Sequence, residues 1–167
     1  MMMLYRLVRL IETNSQDLAA CLLDRVQNSE ATPDYSDVPP EELRERVYEI
    51  YRHLGDWLIT KDELDLKRRY LTIGARRALQ GVPLSQVAWV IILTKDNLWE
   101  FIKKEITIER PVEAFGELEM LQMLDHFFDQ AIYYAAVGYE RAVAEHGPLT
   151  ELPLAPSEEN VRRDQTG

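Results

Sequence analysis

The sequence predicts an all-α fold, an up-and-down bundle of four to five helices with a long C-terminal helix and a disordered tail. All eight prolines lie where a helix would begin or end. The segments between them repeat apolar residues at steps of three and four, which is the period of a helix. The gaps between segments are as short as those of helical bundles. We therefore expect one bundle domain over residues 1–147 and a flexible, acidic, proline-containing tail over 148–167.

The first two predicted helices come before the middle of the chain. An apolar stripe from Leu4 to Val26 predicts one helix with a possible break near residues 13–15, where Asn14 and Ser15 can cap a restart. The next helix opens at Pro39-Pro40-Glu41-Glu42. Its prolines suit a helix start, and its acids suit the positive end of the helix dipole.

The third and fourth predicted helices meet at a glycine. Thr60-Lys61-Asp62-Glu63 is read as a capping box that begins the third helix, which ends at Gly81. Gly74 in its middle costs about 1 kcal/mol relative to Ala, so we expect a close helix contact there. The fourth helix runs from about Pro83 to Ile106.

The fifth predicted helix is the longest. Its pattern extends from Val112 to Glu145 and is ended by His146-Gly147-Pro148. At 1.5 Å per residue, an unbroken helix of this length would be about 50 Å long.

Composition excludes several classes of function. The chain carries 29 acidic and 19 basic residues, a net charge of −10 that repels nucleic acid. The longest apolar run, residues 87–93, is too short to span a membrane, and no secretory signal precedes it. Cys21 is the only cysteine, which rules out an intrachain disulfide and suits a cytoplasmic protein. We expect its thiol to be buried and inert.

Catalytic and cofactor motifs are missing from the sequence. No Glu-x-x-His of a di-iron bundle and no glycine-rich phosphate loop occurs, so we expect no enzyme activity and no cofactor. The alternative is a metal or haem site. It would use His126 with Asp129, or His53, although a histidine bonded to a neighbouring carboxylate is the commoner arrangement.

Two groups of residues are candidates for contacts or regulation. Large apolar side chains on the fourth and fifth helices form core, a homodimer seam or a pocket for a small apolar ligand: Trp89, Trp99, Phe101, Met120, Met123, Phe127 and Phe128. Asp96 and Asp129 interrupt apolar stretches, so we expect Arg77 to form an ion pair with one of them. The segment from Arg77 to Gly81 is a candidate regulatory turn.

A basic cluster on the third helix could form a local anion site, although a solvated helix face is the ordinary interpretation of such charges. The cluster comprises Lys67, Arg68, Arg69, Arg76 and Arg77.

Several segments resemble a known signalling family. They are Glu42-Leu43-Arg44-Glu45-Arg46, Arg77-Ala78-Leu79-Gln80-Gly81-Val82-Pro83-Leu84, Thr94-Lys95-Asp96-Asn97-Leu98-Trp99-Glu100-Phe101, Phe127-Phe128-Asp129-Gln130-Ala131 and Tyr139-Glu140-Arg141. Together they are similar to the N-terminal helical domain of RsbRD-type co-antagonists of bacterial stress signalling, which also precedes some histidine kinases. The resemblance implies a sensory input domain. We expect no output domain after Gly147, so the chain would act by dimerisation, by sensing a small ligand or by docking on a separate signalling protein.

Overall fold

The computed structural model describes residues 2–105 and 111–146, with side chains at 4–36, 38–105 and 118–146. The described residues form six α-helices, one 3₁₀ helix at Pro33–Asp37 and no strand. The α-helices are α1 Met2–Thr13, α2 Ser15–Gln27, α3 Pro40–Thr60, α4 Glu63–Leu79, α5 Leu84–Glu105 and α6 Pro111–His146. The all-α prediction and the long C-terminal helix are confirmed. The predicted tail lies outside the described residues.

The predicted break in the first helix is confirmed, and it raises the helix count to six. Asn14 separates α1 from α2. Its side-chain amide donates to the carbonyl oxygen of Leu10 at 2.9 Å, and the Ser15 hydroxyl donates to the carbonyl oxygen of Glu12 at 3.2 Å. Both side chains therefore satisfy the carbonyl end of α1, whereas we had expected them to cap the start of α2.

The start of α4 differs from the predicted capping box. Thr60 is the last residue of α3, and Lys61 follows it as the C-cap in the left-handed conformation with φ of 57°. The N-cap is Asp62, whose carboxylate accepts the backbone N–H of Asp65 at 3.1 Å. Only Lys61 and Asp62 therefore separate α3 from α4.

Gly81 ends α4 as predicted. Its φ is 73°, in the region where glycine is favoured, and its N–H donates to Ala78 at 3.0 Å. The next amide, of Val82, donates to the carbonyl oxygen of Arg77 at 3.1 Å. These two bonds form a Schellman motif, which satisfies carbonyl groups at the end of the helix.

Among the described helices, α4 and α6 pack together more extensively than any other pair. A methyl group on Gly74 would lie 1.9 Å from the carbonyl oxygen of Ala135, and one on Gly138 would lie 2.1 Å from that of Leu71. The two backbones are therefore in direct contact at two points. The close helix contact predicted at Gly74 is confirmed.

The remaining helices form the other half of the bundle. Helices α1 and α2 pack on α3, α2 also contacts α5, and α5 packs on α6. A buried polar network joins three of them. The Asn97 amide of α5 donates to the carbonyl oxygen of Leu18 at 3.0 Å and to the Tyr51 hydroxyl at 2.9 Å, and that hydroxyl donates to the carbonyl oxygen of Thr94 at 3.1 Å. None of the described helices is long and apolar enough to cross a membrane.

Candidate functional site

A groove of about 330 Å³ runs between α3 and α4. Helix α3 contributes side chains at steps of three and four, which place them on one face: Arg46, Glu49, Ile50 and His53. Helix α4 contributes two parallel rows at steps of four. The outer row is Arg68, Thr72 and Arg76, and the inner row is Arg69, Ile73 and Arg77.

The floor of the groove is apolar. Tyr70 is 2% exposed, and burial raises the pKa of its hydroxyl. Ile50 and Ile73 are partly buried beside it, one from each helix. The groove therefore combines an apolar floor with a rim of guanidinium groups, a mixture typical of small-molecule sites.

His53 closes the end of the groove nearest the α3–α4 link. The imidazole is 6% exposed, and its Nε2 lies 2.8 Å from Oδ2 of Asp65, which also accepts from Nε of Arg69 at 3.1 Å. Burial, and next the charge of Arg69, lower the pKa of His53 despite the carboxylate. A neutral imidazole that donates from Nε2 fits this position.

The pKa of Asp65 in the same cluster is also lowered. Desolvation acts to raise it, but the bond from His53 and the charge of Arg69 together outweigh that effect. Asp65 therefore stays ionised near neutral pH, and the cluster holds one carboxylate, one guanidinium and one neutral imidazole.

Arg77 lies at the opposite end of the groove. Its guanidinium donates to Oε1 of Gln80 at 2.7 Å and lies 5.8 Å from the ring centroid of Tyr35. Burial lowers the pKa of Arg77, and the neighbouring charges of Arg46 and Arg76 lower it further, although Tyr35 acts in the opposite direction.

The prediction that Arg77 forms an ion pair with Asp96 or Asp129 is wrong. Asp96 and Asp129 are both exposed, and neither contacts Arg77 among the described residues. An interruption of an apolar sequence does not by itself bury a carboxylate. Both residues lie on the outer faces of α5 and α6, where water solvates them at no cost.

The histidines do not form a metal site within the described part of the chain, where no group of three His, Cys, Asp or Glu side chains could hold a metal ion. His126 is half exposed, and its Nε2 lies 3.4 Å from Oε1 of Glu63 on α4, so its carboxylate neighbour is not Asp129. His53 is bonded to Asp65. Cys21 is exposed, which contradicts the expected buried thiol.

The large apolar candidates divide into two sets. Met120, Phe127 and Phe128 are buried in the core, with Phe127 in aromatic contact with Trp57 at 5.2 Å between centroids. Trp89 is 40% exposed. Trp99, Phe101 and Met123 are partly buried. The first set is core, whereas the second set leaves apolar surface open on α5 and α6.

The sequence pointed to the arginines of α4 but missed the residues that complete the groove. Arg46 and Ile50 of α3 were not candidates. The signal that could have found them is the spacing of Arg46, Glu49, Ile50 and His53, which mixes charged and apolar residues on one helical face.

Comparison with known protein families identifies the family of this chain. The family model of the RsbT co-antagonist protein rsbRD N-terminal domain matches residues 16–148. This range contains every residue of the α3–α4 groove. No curated protein and no solved structure matches the chain.

Proposed function

Because the chain belongs to the family of RsbRD N-terminal domains, a family of stress-signalling regulatory domains, we propose that it is an input domain that senses a small ligand in the α3–α4 groove. It acts without catalysing a reaction and passes its state to a signalling protein. The family description names RsbT, so an RsbT-type protein is the partner that we propose first. The observation that carries the proposal is the groove itself, which has an apolar floor and the volume of a small-molecule site.

The packing suggests how occupancy of the groove would be transmitted. Helix α4 is held against α6 through Gly74 and Gly138, whereas α3 packs with α1 and α2. A ligand in the groove touches both halves and would fix one relative to the other. A ligand shifts the equilibrium between two arrangements of the halves only if it binds one arrangement more tightly than the other. Contacts with both α3 and α4 make such a preference possible.

The test is to block the groove in the protein as it exists in its host. Thr72 is exposed and lines the groove, so Thr72→Trp fills it without disturbing the core. Tyr133→Trp on α6, where Tyr133 is 62% exposed, is the matched control outside the groove. We expect Thr72→Trp, and not the control, to change the induction of general-stress genes after stress. A normal response from folded Thr72→Trp protein would refute ligand sensing at this site.

Self-association is a second candidate for the mode of action. The exposed ring of Trp89, with Ile92 and Trp99 at steps of three and seven along α5, forms an apolar strip that a second copy of the chain can cover. Light scattering over a range of concentrations tests it. A dimer that Trp89→Glu converts to a monomer supports the proposal, and a strict monomer at high concentration removes it.

A further inference from the structure

The groove carries an excess of positive charge in an acidic protein. Five arginines and one carboxylate, Glu49, line it. Two more carboxylates lie beside it, with Glu42 paired to Arg46 and Asp65 paired to Arg69. The five arginines and these three carboxylates together give the groove a net charge of two positive charges. The chain as a whole has a net charge of −10, so the groove attracts anions where the rest of the surface repels them.

The unbalanced charge belongs to particular arginines. The guanidinium groups of Arg68 and Arg76 form no ion pair or hydrogen bond with any residue that the structure describes. Arg77 bonds to the neutral amide of Gln80. Its lowered pKa reflects burial and the nearby charges of Arg46 and Arg76. The guanidinium groups of Arg68, Arg76 and Arg77 are therefore available to donate hydrogen bonds to an acidic ligand.

The spacing of the outer row fits an elongated ligand. Arg68 and Arg76 are eight residues apart on α4, which is about 12 Å along the helix axis. Guanidinium groups bind carboxylate and phosphate oxygens in pairs of parallel hydrogen bonds. Between the two arginines, the same row carries Thr72, and the floor beside it is formed by Ile50, Ile73 and the ring of Tyr70.

The geometry points to an organic anion as the ligand of the groove: a small molecule whose carboxylate or phosphate binds Arg76 or Arg68 and whose apolar body lies on Ile50, Ile73 and Tyr70. This inference rests on the proposed ligand-sensing function and specifies its ligand class. The volume of about 330 Å³ suits a small molecule. A polyanion such as nucleic acid would meet the negative field of the rest of the chain.

Two fluorescent probes with almost the same aromatic body test the inference. The anionic probe is 8-anilinonaphthalene-1-sulfonate, and N-phenyl-1-naphthylamine is its neutral counterpart. Each is titrated against the full chain and against Thr72→Trp, which blocks the groove. We expect the anionic probe to bind at least tenfold more tightly than the neutral probe, and Thr72→Trp to remove that binding.

Charge-matched variants assign the binding to the groove arginines. Arg68→Gln with Arg76→Gln removes two charges from the groove, and Arg6→Gln with Arg9→Gln removes two exposed charges from α1. All four arginines are exposed, so both double variants should fold. We expect the groove variant to weaken binding of the anionic probe at least tenfold and the α1 variant to weaken it less than twofold.

The outcomes separate this inference from the proposed function. In one outcome, both probes bind equally well, Thr72→Trp abolishes the binding of both, and the arginine substitutions have no effect on either. The ligand is then neutral, so the organic-anion inference is wrong while ligand sensing stands. If neither probe responds to Thr72→Trp, the groove is not a ligand site and both fail. If a hexaglutamate peptide displaces the anionic probe more strongly than naphthyl phosphate does, the groove binds an acidic protein segment and the small-molecule inference is wrong.

Discussion

The Tyr139 hydroxyl donates a hydrogen bond of 2.6 Å to the carbonyl oxygen of Val82 and thereby ties α6 to the turn between α4 and α5. Val82 follows Gly81, whose left-handed conformation ends α4. The Schellman bonds of the turn use the amides of Gly81 and Val82, whereas the tyrosine binds the carbonyl oxygen of Val82. The turn between α4 and α5 is thus anchored by a helix that is distant along the chain.

We predict that Tyr139→Phe lowers the free energy of unfolding by about 1 kcal/mol, because one hydrogen bond is lost and the ring is kept. Urea denaturation measures this change. Amide exchange at Gly81 and Val82 should speed up more than exchange in the middle of α4. Tyr133→Phe, which removes the hydroxyl of an exposed tyrosine, should change stability by less than about 0.5 kcal/mol. Equal effects of the two variants would contradict an anchoring role.

Gly74→Ala should be strongly destabilising, by about 3 kcal/mol or more, because its methyl group would overlap the carbonyl group of Ala135 and force α4 away from α6. Gly55→Ala is the matched control. Gly55 is also buried inside a helix, but a methyl group there would meet its nearest neighbour, a Val8 methyl, at 4.0 Å. The control should be neutral or up to about 1 kcal/mol more stable, since Ala favours helix. A Gly74→Ala variant that was as stable in urea as Gly55→Ala would contradict the contact between the two backbones.

The lowered pKa of His53 predicts a specific pH dependence of stability. Between the folded pKa and the unfolded value of about 6.5, the unfolded chain binds more protons than the native one. Stability from this group is therefore lost as pH falls below about 6.5, and the loss is complete below the folded pKa. His53→Gln can still donate to Asp65 but does not titrate.

Thermal melts at pH 7.5 and pH 5 measure this contribution. We expect the wild-type protein to lose more stability over this interval than His53→Gln. His126→Gln controls for the removal of one histidine from the surface. Wild-type protein that lost no more stability than His53→Gln would exclude a buried, neutral His53.

The network of Asn97 and Tyr51 should behave as a unit. Asn97→Leu removes the side-chain donor to the carbonyl oxygen of Leu18 and the donor to the Tyr51 hydroxyl, and Tyr51→Phe leaves the buried Asn97 amide with one acceptor fewer. Each single variant should cost about 1–3 kcal/mol. The double variant should cost less than the sum by at least about 0.5 kcal/mol, because the two groups share a bond. Strictly additive losses in urea denaturation would contradict the bond.

Helix positions could be predicted from the sequence because their ends depend on local chemistry. Pro40 and Gly81 act through the conformations that these residues favour or exclude, and the break at Asn14 is accompanied by side-chain bonds from Asn14 and Ser15 to carbonyl groups of α1. The start of α4 was misplaced because Thr60 and Asp62 are both good capping residues. The continuation of α3 through Thr60, with the Lys61 amide bonded to Trp57 at 2.8 Å, leaves the cap to Asp62.

The site was harder to predict because it depends on how two helices align. The arginine rows of α4 are visible in the sequence, but their neighbours across the groove are fixed by the packing of α3 on α1 and α2. The same lack of tertiary information explains the error for Arg77. Sequence offered Asp96 and Asp129 as partners, whereas the fold places Gln80 and Tyr35 beside it.

The two-residue link at Lys61 and Asp62 determines how the groove can change its width. Helices joined so closely cannot separate at the end where His53 and Asp65 are hydrogen-bonded. Any change in the width of the groove is therefore largest at the far end, around Arg46 and Arg77. A ligand bound near the link would change the width of the groove little. One bound near Arg46 and Arg77 acts at a distance of most of the length of both helices and would change it more. A distance between labels near residues 46 and 77 is therefore the most sensitive measure of whether a ligand changes the width of the groove.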